Sequence, residues 1–240
     1  MWNIFLSFLR KFEEITPNYI NIEMKNLSEK NLETIKMYRQ MRRPKAKPHF
    51  DFKNLPDSEN LSYKLLNWRN YKTYLKLFGK DTSPFVMDEF KNKEAMEQYT
   101  LFMLESNRFS GKRGACDWII YLKNKTPIGV LHIYDLNLEF YDGVHPKPQF
   151  GYAIAEPFRK KGYAFEATTH LLNYIPTQFK RYEVLANTHK NNVVSIGLLE
   201  KLGFKVYTGI SDKVVQYFYK KLIDGKIPKV HWTENGIEEY

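Results

Sequence analysis

One stretch constrains the fold of this 240-residue chain more than any other: Gln149-Phe-Gly-Tyr-Ala-Ile-Ala-Glu-Pro-Phe-Arg-Lys-Lys-Gly-Tyr-Ala164. It reads as a buried strand broken at Pro157, a basic turn, and a helix that starts at Gly162. A strand end feeding a helix start leaves backbone N–H groups unpaired and aimed at one point, and the helix dipole adds positive potential there. Arg159, Lys160 and Lys161 bring formal charge to the same spot. A phosphorylated ligand is what such a spot holds.

Around this run the punctuation is that of a mixed α/β domain. Leu61 to Trp68 reads as a strand, Asn70 to Phe78 as a helix stopped by Gly79, and Lys93 to Ser106 as a second helix. Arg108 to Gly114 is a basic loop. Asp117 to Leu122 and Ile128 to Tyr134 are strands joined by a hairpin at Lys123 to Pro127. After a loop from Asp135 to Lys147 comes the strand Gln149 to Ala155. The helix from Gly162 to Ile175 carries Ala164, Ala167, Thr168, Leu171, Leu172 and Ile175 at helical spacing, a buried stripe. A strand at Tyr182 to Ala186, a helix at Asn192 to Leu202, and antiparallel strands at Phe204 to Tyr207 and Val214 to Tyr219 follow. The domain therefore covers 61–220, between an N-terminal extension (1–60, helical at Asn26 to Tyr38) and a tail (221–240).

Composition narrows the chemistry. A hydrophobic fraction of 43% and an aromatic fraction of 16% belong to a packed protein. The net charge of +10 favours anionic partners without choosing among them. Cys116 is the single cysteine, so an internal disulfide is excluded and a reducing, cytoplasmic compartment fits. The six histidines lack ligand spacing, and no metal is expected. Met1 to Leu9 is apolar but ends at Arg10, too short for a membrane span, and it lacks the marks of a secretory signal. Such a segment lies on a membrane surface, packs on its own domain, or packs on a twin subunit, which keeps a homodimer open. Arg39 to Pro48 is a basic, proline-punctuated connection. A solvated linker explains it better than a nucleic-acid contact.

A second motif gives the first its meaning. Asn192-Val-Val-Ser-Ile-Gly-Leu-Leu-Glu-Lys-Leu-Gly-Phe204 follows in order, with a strand between. Piece by piece it is an N-cap at Asn192, a solvated helix end at Glu200-Lys201 and a glycine stop at Gly203. Together the pair resembles the Gcn5-related N-acetyltransferases (GNAT), in their RimJ/RimL-like branch. The matching residues are Gly151-Tyr152-Ala153-Ile154, Arg159 through Ala164, Glu166-Ala167, Asn192 through Ser195, and Glu200 through Phe204. The resemblance implies a mixed, mostly antiparallel central sheet with helices on both faces, acetyl-CoA as donor, and a primary amine as acceptor.

It also implies roles. The strand carrying Tyr152, Ala153, Ile154 and Ala155 pairs with the pantetheine arm. The turn Arg159, Lys160, Lys161, Gly162, Tyr163, Ala164 holds the pyrophosphate, and Asn192 and Ser195 lie near the thioester. Oxyanion stabilisation falls to a backbone N–H, best at Ile154. Many relatives protonate the leaving thiolate with a tyrosine where this chain has Leu198-Leu199, so Ser195 is the substitute. Many also carry a glutamate base at the position of Gln149, which can only position a water or the amine. Asp135, His132 and Glu139 remain as other candidates, and loss of the proton to bulk water needs no base. Two rivals stay open: an acetyl-CoA sensor that has lost catalysis, and behind it a ribosome- or nucleic-acid-associated protein using Arg39 to Lys53.

Overall fold

A computed structural model describes residues 52–67, 69–87, 90–99, 114–136, 147–210, 212–228, 230–233 and 236–239. The expected helix at Asn26 to Tyr38, the Met1 to Leu9 segment and the Arg39 to Pro48 stretch lie outside them. So do Trp68, 100–113, 137–146 and, with these, Glu139.

Seven strands form one sheet: β1 (Leu61–Leu65), β2 (Cys116–Leu122), β3 (Pro127–Tyr134), β4 (Gln149–Ile154), β5 (Glu183–His189), β6 (Lys205–Val206) and β7 (Val215–Lys221). Their spatial order is β1-β2-β3-β4-β5-β7-β6. Every neighbouring pair is antiparallel except β4 and β5. Among the described residues, the helices α1 (Lys72–Phe78), α2 (Tyr163–Phe179) and α3 (Val193–Lys201) and a helical segment at 93–99 accompany the sheet. The segment 221–240, read above as a tail, adds a separate hairpin of β8 (Val230–Thr233) and β9 (Gly236–Glu239).

The central strands are apolar on successive residues because both faces are covered. Trp118, Ile120, Leu131 and Ile133 pack with the α2 stripe of Ala167, Leu171, Ile175 and Phe179. Ile119 and Val130 point the other way, into Tyr74 and Phe78 of α1, Phe90, Met96 and Tyr99. Each such aliphatic side chain, fully buried, contributes about 1.5–3 kcal/mol.

Several boundaries move, each for a local reason. The first strand ends at Leu65 rather than Trp68, because Asn67 and Asn70 side chains fold the chain onto the Leu65 carbonyl. For the same reason α1 starts at Lys72, not Asn70. α2 runs through Pro176 to Phe179, a turn beyond Ile175. Proline forfeits one helical hydrogen bond, and Phe179, 1% exposed among Phe52 and Tyr174, offsets that loss. β5 continues to His189 because it stays in register with β7 as far as Val215. Gly203 (φ 81) closes α3 with the hydrogen bonds Phe204 N–H to Leu199 O and Gly203 N–H to Glu200 O, a Schellman stop.

Candidate active site

The sheet opens at its one parallel junction. β4 and β5 share the single register position Gln149↔Leu185, held by Leu185 N–H to Pro148 O at 2.7 Å. Beyond it β4 remains paired with β3 through Gly129↔Ile154. Backbone N–H groups along a strand alternate in direction. Ala155 spends its N–H on Ile128 O, toward β3. Ala153 turns its carbonyl the same way, against Gly129, where a Cβ would meet it at 2.5 Å. The N–H groups of Tyr152 and Ile154 therefore face the gap where β5 has departed. Of Tyr152, Ala153, Ile154 and Ala155, these two present amides to the gap.

At the far end of β4 the chain turns through Arg159 to Gly162. Lys160 (φ 60) and Gly162 (φ 84) both adopt the left-handed conformation, rare for a residue such as lysine. Gly162 sits at the N-cap of the 17-residue α2 and no side chain caps that end. The first intrahelical acceptor is used by Glu166 N–H, on Gly162 O, so the N–H groups of Tyr163, Ala164 and Phe165 have no helical partner. The space over Gly162 is open within 4 Å of a Cβ position. This is a cradle for an anion.

The three basic side chains of the turn divide. Arg159 points inward: its Nε donates to Ile154 O at 2.8 Å and its Nη2 pairs with Asp81, whose side chain is 1% exposed. Lys161 Nζ donates to Pro157 O, and Lys160 is exposed. Glu166, of the E-A pair, reaches back to the segment before β1, accepting from Ser58 Oγ, Asn60 N–H and Asn60 Nδ2. Burial raises its pKa, but these donors and the charge of Lys123 outweigh that and hold it below its ordinary value.

Across the gap stands the N-terminus of α3. Asn192 caps it, its Oδ1 accepting Ser195 N–H at 3.2 Å. Ser195 Oγ lies 3.1 Å from Tyr152 Oη, so two hydroxyls, one from each wall, meet across the opening. Burial pushes the Tyr152 phenol up, and the bond to Ser195 partly reverses this. Gln149 is buried with both ends of its amide engaged. Its Nε2 donates to Asp135 Oδ2 at 3.0 Å, and Asn187 Nδ2 of β5 donates to its Oε1 at 2.9 Å. It clamps the two strands where they part.

Residues 57–205 match the family model for the acetyltransferase (GNAT) domain. The chain belongs to the GNAT acetyltransferase family. Among solved structures, GNAT likeness extends to a spermidine N-acetyltransferase from Vibrio cholerae, described as dodecameric. The two are 14% identical with TM-score 0.54, over 69% of this chain and 95% of that one. An acetyltransferase from Agrobacterium tumefaciens is 17% identical with TM-score 0.54, over 74% of this chain and 99% of the other. At these identities the likeness shows the fold. A comparison with curated protein sequences finds no match.

Sequence reasoning passed over Asp81, Asn187 and Asp117. Asp117 alone left a signal, as the only charge in the apolar strand Cys-Asp-Trp-Ile-Ile-Tyr-Leu. Among the described residues no helix is long and apolar enough to cross a membrane, and no His, Cys, Asp or Glu cluster fits a metal.

Proposed function

We propose that this GNAT protein is an acetyl-CoA-dependent N-acetyltransferase of the RimJ/RimL-like branch that acts in the cytoplasm on a primary amine. The observation that carries the reading is the gap between β4 and β5, bordered by the Tyr152 and Ile154 amides and leading to the uncapped start of α2. These residues fit acetyl-CoA, which supplies an activated acetyl thioester. Tyr152 N–H and the Ile154 backbone pair with pantetheine amides, as a replacement for the missing strand. The amides from Gly162 to Phe165, with Lys160 and Lys161, hold the pyrophosphate. Arg159 acts from behind, fixing the turn through Asp81 and Ile154 O. Asn192 holds the start of α3 in place beside the pantetheine arm.

The chemistry divides among the same residues. Ile154 N–H stabilises charge on the carbonyl oxygen. Ser195, with Tyr152 behind it, returns a proton to the departing sulfur. Gln149 positions rather than ionises. The acceptor is a protein N-terminus or a small amine; the likeness to a spermidine N-acetyltransferase makes spermidine one probe, although the charge of +10 works against a polycation.

Thermal unfolding with acetyl-CoA tests the reading. Ligand at about 100 times its dissociation constant stabilises by about 2.7 kcal/mol, a shift of roughly 5–10 °C for a chain of this size. The shift should vanish in Gly162→Glu, and its absence in the wild type would sink the proposal. A second reading rests on Gln149, whose engaged amide occupies the place of the family's usual carboxylate. An acetyl-CoA sensor would show the same shift with no thiol release across an amine panel.

A further inference from the structure

Beneath β4, on the face opposite α2, lies a set of buried groups that these roles leave unused. Asp117 of β2, His132 of β3 and Gly151 of β4 are directly opposed in successive strand pairs, so they form one row across the sheet. Their side-chain positions share the face on which Ile119 and Val130 meet α1. Asp117 is fully buried, and its Oδ2 accepts Tyr74 Oη at 2.5 Å and Tyr99 Oη at 2.7 Å. Its Oδ1 has no partner, and neither does His132 Nδ1, both buried. Unpartnered buried polar atoms are costly and rare. Two of them on facing residues, whose Cβ atoms in such pairs are about 4.5–5.5 Å apart, call for a common explanation.

The other ring nitrogen supplies it. His132 Nε2 lies over Gly151, in the space that any Cβ at that position would occupy. The imidazole, stacked on Tyr134 at 5.0 Å between ring centroids, thus reaches across β3 to the strand that borders the gap. It arrives beside Gln149, the position where relatives carry a carboxylate. Gly151 is glycine because a histidine leans on it.

We propose that His132 accepts the proton lost by the attacking nitrogen, and that Asp117 is the buried carboxylate that makes this possible. The inference rests on the acetyltransferase reading above. As the nitrogen lone pair forms the new C–N bond, the N–H bond breaks and its proton passes to Nε2, directly or through one water. Asp117 is the residue directly opposite His132 on β2, and its carboxylate balances the imidazolium. Sulfur leaves with its electron pair and takes a proton from the Ser195–Tyr152 hydroxyls, which regain one from solvent as the imidazolium gives its own to solvent, so that the net products are the amide and the free thiol. Neither buried group ionises readily alone: burial pushes the Asp117 carboxyl up to about 7, against the pull of Tyr74 and Tyr99, and the His132 imidazole down to about 3. Charged together, each offsets the other's loss of water. Among the described residues, the other titratable groups around them are Tyr74 of α1, Tyr99 of the 93–99 helix, Cys116 of β2, Tyr134 of β3 and Asp135 beyond it.

The test uses the full chain, with spermidine and a peptide bearing a free N-terminal alanine as acceptor probes and thiol release as the assay. If the wild type neither shifts with acetyl-CoA nor turns over either probe, the acetyltransferase reading fails and takes this inference with it. Given turnover, His132→Ala should lower kcat about 10²–10⁴-fold, keep the acetyl-CoA shift, and lose the acidic limb of the kcat/KM profile. Free imidazole should restore part of the rate by entering the space over Gly151. Asp117→Asn should move that limb rather than abolish it. An unchanged limb with near wild-type kcat in His132→Ala overturns the assignment. Independently of turnover, the ¹⁵N shifts of His132 should report the Nδ1–H tautomer in the wild type. The Nε2–H tautomer would leave no acceptor over Gly151 and would overturn it as well.

Discussion

Replacing Arg159 separates two meanings of a basic residue in the turn before α2, proposed above to hold the pyrophosphate. If its guanidinium served the ligand, Arg159→Met would leave the free protein unaffected and abolish acetyl-CoA binding. The structure directs it elsewhere, to Asp81 and the Ile154 carbonyl. Methionine would leave the Asp81 carboxylate, 1% exposed, with the Ser83 N–H as a donor on its other oxygen. Breaking a buried ion pair on one side costs about 3–5 kcal/mol, whereas exposed pairs contribute about 0–1 kcal/mol. The Arg159 side chain is 33% exposed, so the cost should fall between these limits, about 2–3 kcal/mol. At about 2–4 °C per kcal/mol for a domain of this size, unfolding should drop by roughly 4–12 °C.

A double-mutant cycle makes the argument refutable. Asp81→Leu should destabilise the free chain and weaken acetyl-CoA binding as Arg159→Met does, since either change releases the turn. The double variant should be no worse than the single ones, with a coupling energy within about 0.5–3 kcal/mol. Urea unfolding supplies the stabilities and the acetyl-CoA-induced shift supplies the binding. Additive stabilities, or normal binding in Asp81→Leu beside lost binding in Arg159→Met, would show that the guanidinium works on the ligand and that its contact with Asp81 is incidental.

Other perturbations address the walls of the site. Gly151→Ala places a methyl in the volume of His132 Nε2; it should destabilise by about 1–3 kcal/mol in urea unfolding and lower turnover more than acetyl-CoA binding. Tyr152→Phe and Ser195→Ala should each lower kcat about 10²-fold, and the pair together little more, because one hydrogen bond joins them; steady-state kinetics on the three variants decide. For Glu166 the folded pKa lies below the unfolded one, so its contribution is present above about pH 4.3 and is lost as pH falls through the folded value. Glu166→Gln should therefore cost about 1 kcal/mol at pH 7, and the difference should close in acid, as followed by denaturant unfolding at stepped pH.

The parts of this site legible in the sequence are those encoded by neighbours. The α2 stripe, the Asn192 cap and the Gly203 stop each depend on residues within one or two turns, and their spacing survives folding unchanged. Gly162 was readable because its turn and its helix start are adjacent. The contacts that orient the chemistry are not local. Arg159 and Asp81 are separated by 78 positions, and Ser195 and Tyr152 by 43. Nothing in either neighbourhood marks the partner. The last turn of α2 was hidden for a related reason: Pro176 carries a local penalty, but Phe179 beyond it finds a core built by distant residues.

The alternation of β4 gives its two sets of residues different surroundings. Its even residues, Tyr152 and Ile154, send side chains toward α2 and backbone amides toward the gap. Its odd residues, Gln149, Gly151 and Ala153, send backbone groups to β3 and present their other face to His132, Asp135 and Asn187. A period of two thus puts the amides that face the gap and the side-chain positions that face His132 and Asp135 on alternate residues. The assignment holds only while the register holds, and the register is set by the ladder with β3 from Gly129↔Ile154 to Tyr134↔Gln149, at whose last position β5 joins through Leu185. A one-residue slip would exchange the two sets. The Asp135–Gln149–Asn187 bridge lies at that point, so a glutamine in the place of a base has work to do that a glutamate would do less well. A carboxylate would face Asp135 with a like charge, where the amide donates to it and accepts from Asn187 at once. Gln149 in this chain ties β4 to β5 where the gap begins, and the mechanism proposed above leaves proton removal to the row behind it.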